Sequence, residues 1–237
     1  MWPAPSWPPS TRAAPAATAT GRHYGCCTCA GAAIHTIATV NLFKSLILTA
    51  DEALRSQLRH LSTDQQVAHI TSLAPHAGAD ALDRIRHERL TALAGDITTL
   101  DRALAANLKQ LRALVEAICP ALLAQPGIGP VSAAIALTAW SHKGRFRNEA
   151  AFAALAGVNP IPASSGRTVR HRLNRGGDRT LNAAIHTIAM ARRRYHQPTR
   201  DYLTRHTTEG RTPKEITRSL KRYISRQLFR IMQATNP

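Results

Sequence analysis

The 237-residue sequence predicts a mainly α-helical protein with three parts: a disordered N-terminus, a long coiled-coil helix, and a helical domain. That domain carries a helix-hairpin-helix and one short extended loop rich in serine and arginine. Three observations predict this class. Only 5% of residues are aromatic while alanine and leucine abound, which favours helices over sheets. Apolar residues recur seven apart from Leu90 to Ile118. Helix-start signals such as Asp178 and Thr212-Pro213-Lys214-Glu215 stand immediately before apolar-faced runs.

Residues 1–33 are rich in Pro, Ala, Ser and Thr, and no acid occurs before Asp51, so this segment is read as disordered. Cys26, Cys27 and Cys29 lie near His23, but structural zinc sites combine separated ligand pairs, and no metal site is assigned. The heptapeptide Ala32–Ala38 recurs letter for letter at Ala183–Ala189, which is too short for a structural repeat.

Residues 34–119 form the second part. A helical pattern runs from Ile37 to about Ser72, with Thr49 and Glu52 as a capping box and Leu54, Leu58 and Leu61 on one face. After a loop at Pro75–Gly78, Leu90, Ile97, Leu104, Leu111 and Ile118 fill one heptad position. Leu93, Leu100, Asn107 and Leu114 fill the other, with Asn107 as the single polar member. Either a coiled coil between chains or a hairpin with the preceding helix would bury that seam. Cys119 reads as a small buried apolar residue.

Residues 120–237 carry the chemistry. Leu122–Trp140 reads as a helix-hairpin-helix whose Gly127-Ile128-Gly129 turn bares backbone N–H groups ahead of Pro130, a phosphate seat. Such hairpins also pack without ligand. Lys143, Arg145 and Arg147 form a basic loop before a helix containing Phe152 and Leu155. His142 and His171 lack the spacing of metal ligands and read as phosphate contacts or solvated residues.

The densest stretch is Leu155–Met190. Its helix stops at Gly157, and Pro160 and Pro162 hold the following residues extended. Ser164, Ser165 and Gly166 are followed by Arg167, Arg170, Arg172 and Arg175, then by Gly176-Gly177, the cap Asp178, and Arg179 at the start of a helix. A serine on a turn among guanidiniums meets two needs of attack on a phosphodiester, exposure and cations for the phosphorane charge. A plain loop whose arginines clasp phosphates fits the same residues. Arg192, Arg193 and Arg194 end the helix with cations that suit its dipole and DNA alike. The last helix opens on Thr212, Pro213 and Glu215, buries Ile216, Leu220, Tyr223, Leu228 and Ile231, and turns Arg218, Lys221, Arg222 and Arg226 outward.

Charge bounds the partners. Lys143–Arg230 holds 20 Lys and Arg against 5 acids, whereas residues 1–142 hold 11 against 9. That asymmetry is the footprint of a nucleic-acid binder. Membrane attachment is the competing and weaker reading, since no apolar run approaches the ~20 residues that span a bilayer. Without a secretory pattern, a reducing cytoplasm is the expected setting.

The wording GVNPIPASSGRTVRHRLNRGGDRTLNAAIHTIA resembles the C-terminal domain of transposases of the insertion-sequence one-ten family, bacterial RNA-guided DNA recombinases. The resemblance runs from about Asn41 to Gln233 and is dense over Pro120–Met232. It implies a serine nucleophile, assigned to Ser165 with Ser164 in reserve, that becomes covalently joined to DNA. It also implies a guide RNA partner and self-association through the coiled coil.

Members of that family carry an N-terminal domain whose four carboxylates hold two Mg²⁺. Nothing here matches it, so the sequence reads as the tail of a transposase, or as a catalytically silent nucleic-acid-binding remnant. No cofactor is expected in this chain, and a complete catalytic cycle by this polypeptide alone is not expected.

Overall fold

The computed structural model describes residues 35–73, 80–162 and 171–235. The segment 1–33, the loop at Pro75–Gly78, and Ser164, Ser165, Gly166, Arg167 and Arg170 lie outside the described residues. The architecture is mainly helical, with one two-residue ladder.

The N-terminal region is built from α1 (residues 35–48), α2 (Glu52–Leu58) and α3 (Thr63–Ser72) against the first half of α4 (Ala81–Ile118). The Thr49–Glu52 capping box is not formed. Thr49 closes α1 through Leu46, and Asp51 caps α2 by accepting from the Leu54 N–H. A residue still bonded back to the previous helix cannot adopt the extended backbone that a cap requires. The capping box in this region belongs to Ser62 and Gln65, at the start of α3.

Helix α4 spans 38 residues, about 57 Å, and joins two separate cores. Leu90, Leu93, Ala94 and Ile97 are buried with Phe43, Ile47, Leu58, Val67 and Ile70. The intramolecular alternative therefore accounts for the first heptads. Further along, Leu100, Leu104 and Asn107 are only partly covered, and Leu108 is exposed. At the C-terminal end Leu111 and Val115 are buried, while Leu114, a heptad position by sequence, is 59% exposed. A straight helix drifts about 20° per heptad, so three heptads past Leu93 the buried stripe has moved on by one residue.

The second core gathers α4's end with α5 (Pro120–Leu123), α6 (Pro130–Trp140), α7 (Glu149–Leu155), α8 (Arg179–Tyr195), α9 (Gln197–Thr208) and α10 (Pro213–Thr235). Cys119 is buried here and donates to the Thr235 hydroxyl. Helix α6 is apolar on all faces and packs against α4, α8 and α10. The turn before it is preceded by only a four-residue helix, because Cys119 at φ −156° breaks α5 from α4.

The α10 cap forms as read from sequence: the Thr212 N–H donates to Glu215, and the Glu215 N–H donates to the Thr212 hydroxyl. Its buried stripe differs. Ile216, Leu220, Ile224, Leu228 and Met232 go inward at strict four-residue spacing, whereas Tyr223 is 54% exposed and Ile231 only partly covered. Among the described residues, no helix is long and apolar enough to cross a membrane.

Candidate nucleic-acid interface

The site grows from the end of α7. Asn148 caps that helix by accepting from the Ala151 N–H, and Gly157 ends it at φ +64°. The Val158 N–H reaches Ala153 O and the Gly157 N–H reaches Ala154 O, which is the paired closure of a Schellman turn. The chain then runs extended into β1 (Ile161–Pro162), antiparallel to β2 (His171–Arg172), with Ile161 opposite Arg172 and Pro162 opposite His171. Pro162 and His171, the described residues on either side of 163–170, are thus paired neighbours.

A tight return fixes that hairpin base. Asn174 donates to Ala154 O and to Asn159 Oδ1, and its own Oδ1 accepts from the Gly176 N–H at 2.9 Å. Gly177 lies directly on the Gly157 backbone. The Asp178 N–H donates to Leu155 O at 2.7 Å, and the Asp178 carboxylate caps α8 through the Thr180 and Leu181 N–H groups. Arg175 and Arg179 are exposed beside this base.

Across from the hairpin stands α10, and between them opens a cleft of about 870 Å³. Arg172, Arg211, Arg218, Lys221, Arg222 and Arg226 line it, with Glu215 as the one acid among the lining residues. The Lys221 ammonium donates to Asn182 Oδ1, and Asn182 Nδ2 donates to Ala156 O, tying α10 to the end of α7. Burial pushes the Lys221 pKa down. Burial, and then repulsion from Arg226, lowers that of Arg222, with Glu149 partly offsetting both. Glu149 also pairs with Arg226 at 2.7 Å and Arg230 at 3.5 Å. Arg226 stands close enough to Arg222 to disfavour its charge, an arrangement suited to an anion. Among the described residues, no three His, Cys, Asp or Glu side chains are placed to hold a metal.

The structure brings only some of the sequence candidates together. Arg172 enters the cleft. Lys143, Arg145 and Arg147 are exposed on the turn before α7, outside its lining, with Arg145 over the Phe146 ring. Gly127 and Gly129 lie elsewhere. Gly127, at φ +77°, packs against Ile188 and Arg192, whereas the hairpin base packs against Asn182. Ten residues of α8 separate Asn182 from Arg192, about 15 Å, so the glycine turn and the hairpin base are distinct places on the fold. Arg192 is itself buried; it donates to Pro126 O at 2.8 Å and to Gln227 at 2.9 Å and acts as an internal clamp. Lys221, Arg222 and Asn182 were absent from the sequence candidates for the site. The 218, 221, 222, 226 spacing marks a stripe, but nothing local says what that stripe faces.

Residues 119–204 match the Transposase IS116/IS110/IS902 family. The matched span begins at Cys119, contains the hairpin base and α8, and ends within α9, before the α10 wall. The chain is also 30% identical over 144 residues to an uncharacterized 43.6 kDa protein of insertion element IS110 from Streptomyces coelicolor. That alignment covers 60% of this chain and 36% of the relative, so the chain spans about a third of the relative's length.

Proposed function

We propose that this chain is a DNA-binding portion of an insertion-sequence transposase in which a serine of Ser164-Ser165-Gly166 attacks a DNA phosphodiester. Ser165 is the preferred nucleophile, since Gly166 beside it lets a DNA backbone approach. The observation that supports the reading is the Pro162–His171 pairing, which lies within the matched family span, with His171 and Arg172 on the wall of a cationic cleft. Arg179 adds support. It sits in the first turn of α8, where the helix dipole disfavours a cation, so an anionic partner explains it better than folding does.

In this reading the serine oxygen forms the new bond to phosphorus as the phosphorus–deoxyribose oxygen bond breaks, and the proton lost by the serine hydroxyl is matched by one gained, through solvent, by the leaving deoxyribose oxygen. Arg167, Arg170, Arg172 and Arg175 stabilise the charge gathered on the phosphorane oxygens, with bidentate geometry that lysine lacks. The two Mg²⁺ implied by the family resemblance have no donor cluster among the described residues. Residues 34–119 serve association into a homo-oligomer and 120–237 serve DNA contact. A guide RNA and a setting at the bacterial nucleoid belong to the same proposal.

The test is a salt titration of duplex DNA binding by the full chain. Each phosphate neutralised contributes about 0.9 to the slope of log affinity against log salt. Replacing Lys143, Arg145 and Arg147 by Gln, or Arg172, Arg175 and Arg179 by Gln, should each flatten the slope. Salt-independent binding, or slopes unmoved by both sets, would contradict the reading.

A further inference from the structure

The cleft holds one feature that duplex binding does not use. Tyr223 is 54% exposed and lines the cleft among the cations of α10. Its ring is braced edge-on by Tyr202, with centroids 5.9 Å apart at 83°. Tyr202 is itself held by His206, at 4.3 Å between rings. The Arg226 guanidinium lies 5.9 Å from the Tyr223 centroid. Tyr223 lies off the buried stripe of α10, where Ile224 takes the inward position, so packing in the core does not account for an aromatic there.

We propose that this cleft seats an unpaired nucleotide of a single-stranded polynucleotide, its base stacked on Tyr223 and its phosphates held by Arg172, Arg218, Lys221 and Arg222. The inference rests on the nucleic-acid reading above and adds the strand state of the substrate. A duplex hides its base faces in the stack and offers an aromatic side chain only base edges and phosphates. Aromatic faces interleaved with cations are the signature of single-strand binding. The size agrees: a cleft of about 870 Å³ falls in the range that encloses one ligand-sized group. Lys221 is held in place by Asn182 before any ligand arrives, which lowers the ordering cost of a phosphate contact.

The experiment measures fluorescence anisotropy of the full chain with labelled oligo(dT) and oligo(U) of about 12 nucleotides, and with a duplex of equal length. Tyr223→Ala should weaken both single strands about tenfold while leaving the duplex unchanged, and Tyr223→Phe should restore single-strand binding. Lys221→Gln should weaken the single strands as well. A preference for oligo(dT) assigns the strand to DNA, and one for oligo(U) assigns it to RNA. Equal loss on duplex and single strands, or no loss on Tyr223→Ala, overturns this inference while the parent's duplex binding still stands. A parent chain that binds none of the three probes overturns both readings.

Discussion

Gly177 and Gly157 meet backbone to backbone: a methyl group on Gly177 would stand 2.3 Å from the Gly157 nitrogen and 2.4 Å from its Cα. These two residues come from opposite ends of the serine stretch. Their contact, with the Asp178–Leu155 bond beside it, sets where the hairpin base sits on α8.

Gly177→Ala should therefore destabilise the fold by about 1–3 kcal/mol, because backbone cannot yield as a flexible side chain does. Gly176→Ala is the control, since a methyl there would meet only Asn174 Oδ1 at 3.6 Å. Denaturant midpoints compare the two. Equal midpoints would mean that the close approach is not retained in solution.

Glu215 gives a pH prediction. Its carboxylate is held below the usual glutamate range by the Thr212 backbone N–H and then by the Thr212 hydroxyl. A depressed folded value stabilises fully above the unfolded value and loses that contribution as pH falls through the folded one. Glu215→Gln should lower the melting temperature near pH 7 and converge on the parent as the pH falls below the usual glutamate range and through the depressed folded value. Glu209, depressed by its bond with His206, keeps its own acid dependence in both proteins. A deficit that stays constant as the pH falls would show that Glu215 acts by packing rather than by charge.

Such local chemistry was legible because it is written in neighbouring residues. Asp178 as a cap, Thr212 with Glu215, and Pro130 at the start of α6 all depend on partners within four positions. The buried Arg192 was not legible, because its partners Pro126 and Gln227 are 66 and 35 residues away. Nor was Lys221, whose partner Asn182 lies 39 residues off. The helical period misled at Tyr223 and Leu114, where a one-residue rotation decides between core and solvent.

The middle of α4 supplies an assembly prediction. Leu100 and Leu104 are only partly covered in one chain, and a second helix would complete their burial. Leu100→Asp with Leu104→Asp should yield monomers of unchanged helix content, because charge in a dry seam has no partner. Ile97→Asp should instead unfold the N-terminal core, where Ile97 is buried. Sedimentation checks both. A parent chain that is monomeric at tens of micromolar would remove the association reading.

The central claim is tested most directly by trapping the protein on DNA. The chain is supplied with a family carboxylate domain, guide RNA and Mg²⁺, and the products are run on a denaturing gel that retains covalent complexes. Parent and Ser164→Ala should give a protein–DNA adduct, and Ser165→Ala should give none while binding DNA almost as tightly. Loss confined to Ser164→Ala would shift the nucleophile by one residue. An adduct that persists in the double variant would contradict serine chemistry in this stretch.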